Sequence, residues 1–177
     1  MTRIDNAATC ADDAIRFAVG ACSLGSILVA MSGKGIRAIS FGDEPETLTR
    51  ELRDACSGGD LIAEDAGLNT ILGEVVAFVE NPAIGLDLPL DPSGTAFPQR
   101  VWQVLREIPA GSTASYGEIA RRIGAPKEAY AVGEACAANE IAVAIPCHRV
   151  VRKDGALAGY RWGFKRKRAL LKREARA

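Results

Sequence analysis

The 177 residues carry 22 Lys+Arg against 22 Asp+Glu, a formal net charge of zero, with 48% hydrophobic and 25% charged side chains. These are ordinary globular proportions, and they exclude collagen-like, mucin-like and largely disordered chains. The zero is a cancellation: residues 1–148 hold 11 basic and 20 acidic side chains, whereas residues 149–177 hold 11 basic and two acidic. Such asymmetry gives a reason to consider a polyanionic partner. Apolar runs such as residues 27–31 are too short to cross a bilayer, and Met1–Asp5 shows no charged-then-apolar leader. A cytoplasmic protein without a membrane partner is expected.

In chain order, residues 26–31 and 35–41 are apolar, β-branched runs joined through Ser32-Gly33-Lys34, which reads as a hairpin. Residues 46–56 place Leu48 and Leu52 four apart, as an amphipathic helix does. Residues 69–80 put Ile71, Leu72, Val75, Val76 and Val79 on one helical face. A short extended run over 85–90 meets the turn-rich Asp91-Pro92-Ser93-Gly94, and the domain division is placed there, giving 1–92 and 93–177. Beyond it, Phe97, Val101, Leu105 and Ile108 mark a helix ending near Pro109-Ala110-Gly111. Ser115-Tyr116-Gly117-Glu118 matches a capping box, so a helix starts at Tyr116. It breaks at Gly124-Ala125-Pro126, and another runs over 127–138. Two short helices around a tight Gly-containing turn read either as a helix-turn-helix or as an ordinary helical hairpin. Residues 164–176 form a basic helix anchored by Leu170 and Leu171.

The five cysteines, Cys10, Cys22, Cys56, Cys136 and Cys147, are an odd number with no CxxC pair, and they read as free thiols in a reducing compartment. With His148 as the single histidine, no four-ligand zinc cluster can be assembled at short spacing, and no metal is expected. Free cysteines are usually small buried hydrophobes, and four of the five take that reading, with Cys136 facing inward from its helix. Cys147 differs in Ile145-Pro146-Cys147-His148-Arg149-Val150-Val151: it adjoins His148 and opens the basic segment, where cationic surroundings lower a thiol's pKa. A cysteine with a histidine and an orienting third group is the pattern of an activated nucleophile. Adjacency alone leaves a buried structural cysteine equally open.

Pro146-Cys147-His148-Arg149-Val150 resembles the active-site signature of the methylated-DNA–protein-cysteine methyltransferases, the O6-alkylguanine-DNA alkyltransferases. Gly94-Thr95-Ala96-Phe97 with Val101-Trp102, Ile108-Pro109-Ala110-Gly111, Ser115-Tyr116-Gly117, Cys136-Ala137-Ala138-Asn139 and Gly159-Tyr160-Arg161-Trp162-Gly163 follow in family order. The resemblance is specific over 94–174 and looser before it, and is nearest to the C-terminal half of the bacterial adaptive-response (Ada) protein. That protein's N-terminal zinc-holding modules have no counterpart in these residues, leaving a stand-alone alkyltransferase or a fragment.

The resemblance implies an α+β chain, with an N-terminal ribonuclease-H-like scaffold and a mostly helical DNA-binding domain carrying a helix-turn-helix. It implies a monomer that acts on double-stranded DNA containing O6-alkylguanine, with O4-alkylthymine as a further candidate. The base is flipped from the stack, and Cys147 takes its alkyl group once and irreversibly, without a cofactor. By the same resemblance, His148 activates the thiol through a water and Glu174 orients the imidazole. Tyr116 donates towards guanine N3, stabilising the leaving group, and Asn139 braces the turn before the active-site strand. The backbone around Cys147 and Val150 receives the guanine amino group, with Arg149 beside it, and Tyr160 and Arg161 close over the base. The second helix meets the minor groove through the small Ala129 and Gly133.

This helix departs from the family, because Tyr130 stands where an arginine usually enters the stack. With Glu128, Glu134 and Glu140 nearby, weaker or altered DNA engagement is expected. Two other functions remain to be separated: a lesion-flagging alkyltransferase-like protein, whose known forms lack the reactive cysteine, and a cysteine hydrolase built on Cys147, His148 and Glu174. The +9 tail is expected to face phosphates or support the thiolate.

Overall fold

The computed structural model describes residues 14–56, 60–63 and 66–176. Cys10 and the segment read for a leader lie outside them. Strands β1 (Ile15–Cys22), β2 (Gly25–Ser32) and β3 (Gly35–Gly42) form an antiparallel meander. β4 (Leu61–Ala63) pairs in parallel with the free edge of β1, giving the order β3-β2-β1-β4. The expected hairpin is β2–β3, with Ala30 opposite Ala38. The sequence reading did not anticipate β1 or β4.

Helices α1 (Pro45–Ala55) and α2 (Ala66–Glu80) cover opposite faces of this sheet. Ile27 and Val29 of β2 join the apolar cluster containing α2, and Leu28 and Ala30 join the one containing α1. Burial on both faces explains why β2 is an unbroken apolar run rather than an alternating one. α1 opens with Pro45 at its first position and buries Leu48 and Leu52, which matches their spacing of four. The extended run after α2 forms no strand; Leu90 alone makes a bridge to Ile36.

The chain then enters α3 (Ala96–Arg106). Gly94 is required here, because a Cβ on it would lie 2.8 Å from Cη2 of Trp102. The Trp102 indole N–H donates to the Ala135 carbonyl at 2.9 Å, tying α3 to α5 (Ala129–Ala137). Between them lies α4 (Tyr116–Arg122), whose capping box is complete: Ser115 Oγ accepts from Glu118 N at 3.2 Å, and Glu118 Oε2 accepts from Ser115 N at 2.7 Å. Two short strands, β5 (Ala114–Ser115) and β6 (Val150–Val151), pair in parallel, and α6 (Phe164–Glu174) follows.

The apolar core is continuous across the two halves, running from Val29 and Ile39 through Trp102 and Leu105 to Val132, Ile145 and Leu170. The edge of β3 is closed by the later segment: Ile39 N–H donates to Glu140 O, and Ala142 N–H donates to Ile39 O, both at 3.0 Å. α6 is also fastened to the sheet half. Arg166 reaches the Leu24 carbonyl and the Asp43 carboxylate, both at 2.8 Å, and Arg173 reaches the Val79 carbonyl at 2.9 Å. Arg166 and Arg173 of the basic tail therefore hold the halves together instead of pointing outward. Among the described residues no helix is long and apolar enough to cross a membrane.

Candidate active site

Cys147 is delivered by a constrained segment. The buried Asn139 side chain accepts from Ile141 N–H at 2.9 Å and donates to the Ile145 carbonyl at 2.9 Å, bracketing residues 141–145. Inside that bracket Val143 has φ 60°. A β-branched residue in the left-handed region costs about 1–3 kcal/mol, and it persists only where the surroundings determine it. Cys147 N–H then donates to Ile145 O at 2.8 Å, and Cys147–Arg149 form a single 3-10 turn leading into β6. The same Asn139 amide donates to Cys147 Sγ at 3.3 Å. One side chain thus sets both the turn and the sulfur.

The last residue of α6 completes a polar chain. His148 Nε2 lies 2.7 Å from Glu174 Oε1, and Arg149 donates to both oxygens of that carboxylate through Nε at 3.0 and 3.1 Å. Arg149 Nη2 adds a bond to Oε1 at 2.7 Å, and Nη1 donates to the Ile108 carbonyl at 2.6 Å. Burial alone would raise the Glu174 carboxyl, but the hydrogen bonds and charges of His148 and Arg149 outweigh it and hold it at about 2. An ionised carboxylate only accepts, so the proton of neutral His148 sits on Nε2 and the lone pair on Nδ1. Nδ1 is buried and has no hydrogen-bond partner within the protein. Burial lowers the His148 pKa despite Glu174, so the ring is a neutral base at pH 7.

Cys147 is also buried. Burial pushes its thiol up to about 11, although the Asn139 hydrogen bond and the Lys167 and Arg161 charges act the other way. The expectation of a cation-stabilised resting thiolate is corrected accordingly: desolvation wins, and the sulfur is a protonated thiol at neutral pH. The cation nearest this role is Lys167, fully buried, with Nζ donating to the Val150 carbonyl at 2.7 Å.

The sulfur faces a cleft of about 400 Å³ lined by Tyr116, Gly133, Cys136, Cys147, Tyr160 and Arg161. The Tyr116 phenol is raised to about 12, chiefly by burial and then by the two thiols, so it remains a donor. The Tyr160 hydroxyl is buried without a hydrogen-bond partner, its ring packed edge-on to Trp162 at 5.3 Å. Arg161 Nη1 donates to Asn139 O at 3.3 Å, which ties the 160–162 loop to the bracketed turn.

The structure therefore forms two adjacent hydrogen-bonded groups, Asn139 with Cys147 and Glu174 with His148 and Arg149, and sets Tyr116, Gly133, Tyr160 and Arg161 around the cleft. Val150 is buried beside them, with its carbonyl taken by Lys167. Ala129 lines the neighbouring groove, and Tyr130 stands 82% exposed on α5. Arg149 differs from expectation, because its side chain is buried and its guanidinium is bound to Glu174 and Ile108 inside the protein instead of being turned outward. Sequence reasoning missed Lys167, and it missed Cys136 as a wall of the cleft. The buried residues of α6 are Lys167, Leu170 and Glu174, a stripe at i, i+3 and i+7 that the spacing could have revealed.

Residues 96–176 match the family described as 6-O-methylguanine DNA methyltransferase, DNA binding domain. The chain is 37% identical over 150 residues to the inducible methylated-DNA–protein-cysteine methyltransferase of Bacillus subtilis, covering 84% of each. This chain belongs to the methylated-DNA–protein-cysteine methyltransferase family. It is 51% identical over 162 residues to the bifunctional transcriptional activator/DNA repair enzyme Ada of Escherichia coli, covering 92% of this chain and 46% of that one. It thus spans about half the length of the Ada relatives it matches. Among solved structures, Mycobacterium tuberculosis OGT in complex with DNA is similar at a TM-score of 0.77 and 35% identity, over 91% of this chain and 93% of that one. The mixed α+β fold of this methyltransferase family member is therefore also the fold of its solved relatives.

Proposed function

We propose that this methyltransferase family member repairs DNA by moving the alkyl group of an O6-alkylguanine onto Cys147, once per molecule. The observation that carries the reading is Cys147, held by Asn139 and followed by the His148–Glu174–Arg149 group, lining a cleft with the Tyr116 phenol. The target base is unstacked and enters the cleft. His148 Nδ1 takes the thiol proton by way of a water, and the sulfur attacks the alkyl carbon. The S–C bond forms as the C–O6 bond breaks, and the electron pair stays on the guanine, which Tyr116 stabilises by hydrogen bonding. The imidazolium is balanced by Glu174, a carboxylate already ionised and bonded in place before the substrate arrives. Because Cys147 rests as a thiol, its nucleophilicity is switched on by proton transfer in the occupied site. The alkyl group comes from the substrate and ends as a thioether, so the reaction balances without a cofactor.

In this reading residues 1–92 are a ribonuclease-H-like scaffold and 93–177 the DNA-binding and transfer domain. α4 and α5 act as a helix-turn-helix on double-stranded DNA, Tyr130 wedges into the stack, and the protein works as a cytoplasmic monomer, where a reducing medium preserves the thiol. Intact mass after incubation with an O6-methylguanine duplex tests the proposal. One added methyl group, absent in Cys147→Ser, is expected. Tight binding with no adduct would make the protein a lesion flag, and an acyl adduct from ester substrates would make it a hydrolase.

A further inference from the structure

Beside the thiol cleft lies a second, open groove of about 670 Å³ whose wall carries Arg121, Arg152 and Lys153. The parallel pairing of Ala114 with Val150 and of Ser115 with Val151 brings its two sides together. Arg121 arrives on the last turn of α4, and Arg152 and Lys153 follow β6 directly. Tyr116 lines both this groove and the thiol cleft, and the Arg152 charge reaches its phenol.

All three cations are exposed, and none makes an ion pair among the described residues. The carboxylate on the groove wall, Glu118, is turned into the capping bond with Ser115 N–H. Asp154, next to Lys153, accepts from Ala156 N–H at 3.0 Å. The contrast is with Arg149, Arg166, Lys167 and Arg173, whose charges are spent inside the protein. It is equally with the outer side of α5, which presents Tyr130 and Glu134, with Glu128 at its start.

We propose that this groove holds the phosphodiester backbone of the strand whose base occupies the thiol cleft, and that Arg121, Arg152 and Lys153 supply the main phosphate neutralisation near the site. The placement of the base rests on the alkyl-transfer reading; the cationic groove does not. Phosphate contacts fix position without reading sequence, and each one contributes close to one unit to the salt dependence of binding.

The test is the dissociation constant of an O6-methylguanine duplex and of its unmodified twin, measured by fluorescence anisotropy over a range of salt. In Arg121→Ala/Lys153→Ala the slope of log Kd against log salt is expected to fall by about two, equally for both duplexes. Lys172→Ala, which removes an exposed cation of α6 outside the groove, keeps the wild-type slope. An unchanged slope in the double variant, or an equal fall in Lys172→Ala, overturns the assignment. Mass analysis of the same wild-type samples tests the chemistry separately. Binding without methyl transfer removes the alkyl-transfer reading and leaves the groove, whereas transfer with an unchanged slope does the reverse.

Discussion

Around the sheet the buried side chains are nearly all apolar, Ser32 and Arg37 being the polar ones, whereas the second half buries Asn139, His148, Arg149, Lys167 and Glu174. The first arrangement is stabilised by removing area from water, and it tolerates other apolar side chains of similar volume. The second depends on its charged groups keeping their partners, because a buried charge that loses its partner keeps its desolvation cost. The sheet half is therefore permissive and the site half is not, although one apolar core runs through both.

That contrast breaks first at His148. His148→Ala is expected to slow single-turnover methyl transfer about 10²–10⁴-fold, the usual worth of a positioned general base. A loss below tenfold would remove it from the proton path. Glu174→Ala strands the Arg149 guanidinium and should cost about 3–5 kcal/mol in urea unfolding. The same carboxylate sets an acid limit. Its pKa is about 2 in the fold against 4.5 as the ordinary value. The stabilisation is therefore complete above pH 4.5 and is lost as pH falls towards 2, about 3 kcal/mol in all. Glu174→Gln should lack this acid-dependent portion; the same steep loss in both proteins would place its origin elsewhere.

On the permissive side, Ile39→Val removes one methyl group from a fully buried position and should cost about 0.5–1.5 kcal/mol with methyl transfer unchanged. Smallest in stability is Tyr130→Arg, within about 0.5 kcal/mol at so exposed a site. Its effect is expected in DNA engagement instead, as faster transfer at limiting DNA. No gain would mean that tyrosine serves the stack as well as arginine there.

Signals that concern a few neighbouring residues could be read from the sequence. The capping box at Ser115, the β2–β3 hairpin and the stop of α4 near Gly124 all depend on local backbone chemistry. Cys147 and His148 stood out through their motif. β1 was hidden because its second half is small residues, Gly20 among them, where α2 crosses so closely that a Cβ would meet Leu72 Cδ2 at 3.0 Å. β4 has only three residues, too few for alternation to register. The charges misled for a different reason. Arg149 and Lys167 look like solvated members of a basic run; only the tertiary partners Glu174 and Ile108 show that Arg149 is internal, whereas for Lys167 the stripe with Leu170 and Glu174 is the one available signal. Burial of the thiol, which reverses the expected direction of its pKa, is likewise invisible in a string of neighbours.

The fastening of α6 bears on when the site comes into being. Glu174 lies 25 residues after Arg149, yet its helix is held by Arg166 and Arg173 to partners 142 and 150 residues earlier. A ribosome-bound chain that has already made the sheet, the cleft and the reactive sulfur still lacks the carboxylate that orients His148 and neutralises Arg149. α6 thus acts as a keystone: in the alkyl-transfer reading, the site stays incomplete until α6 has met the sheet half.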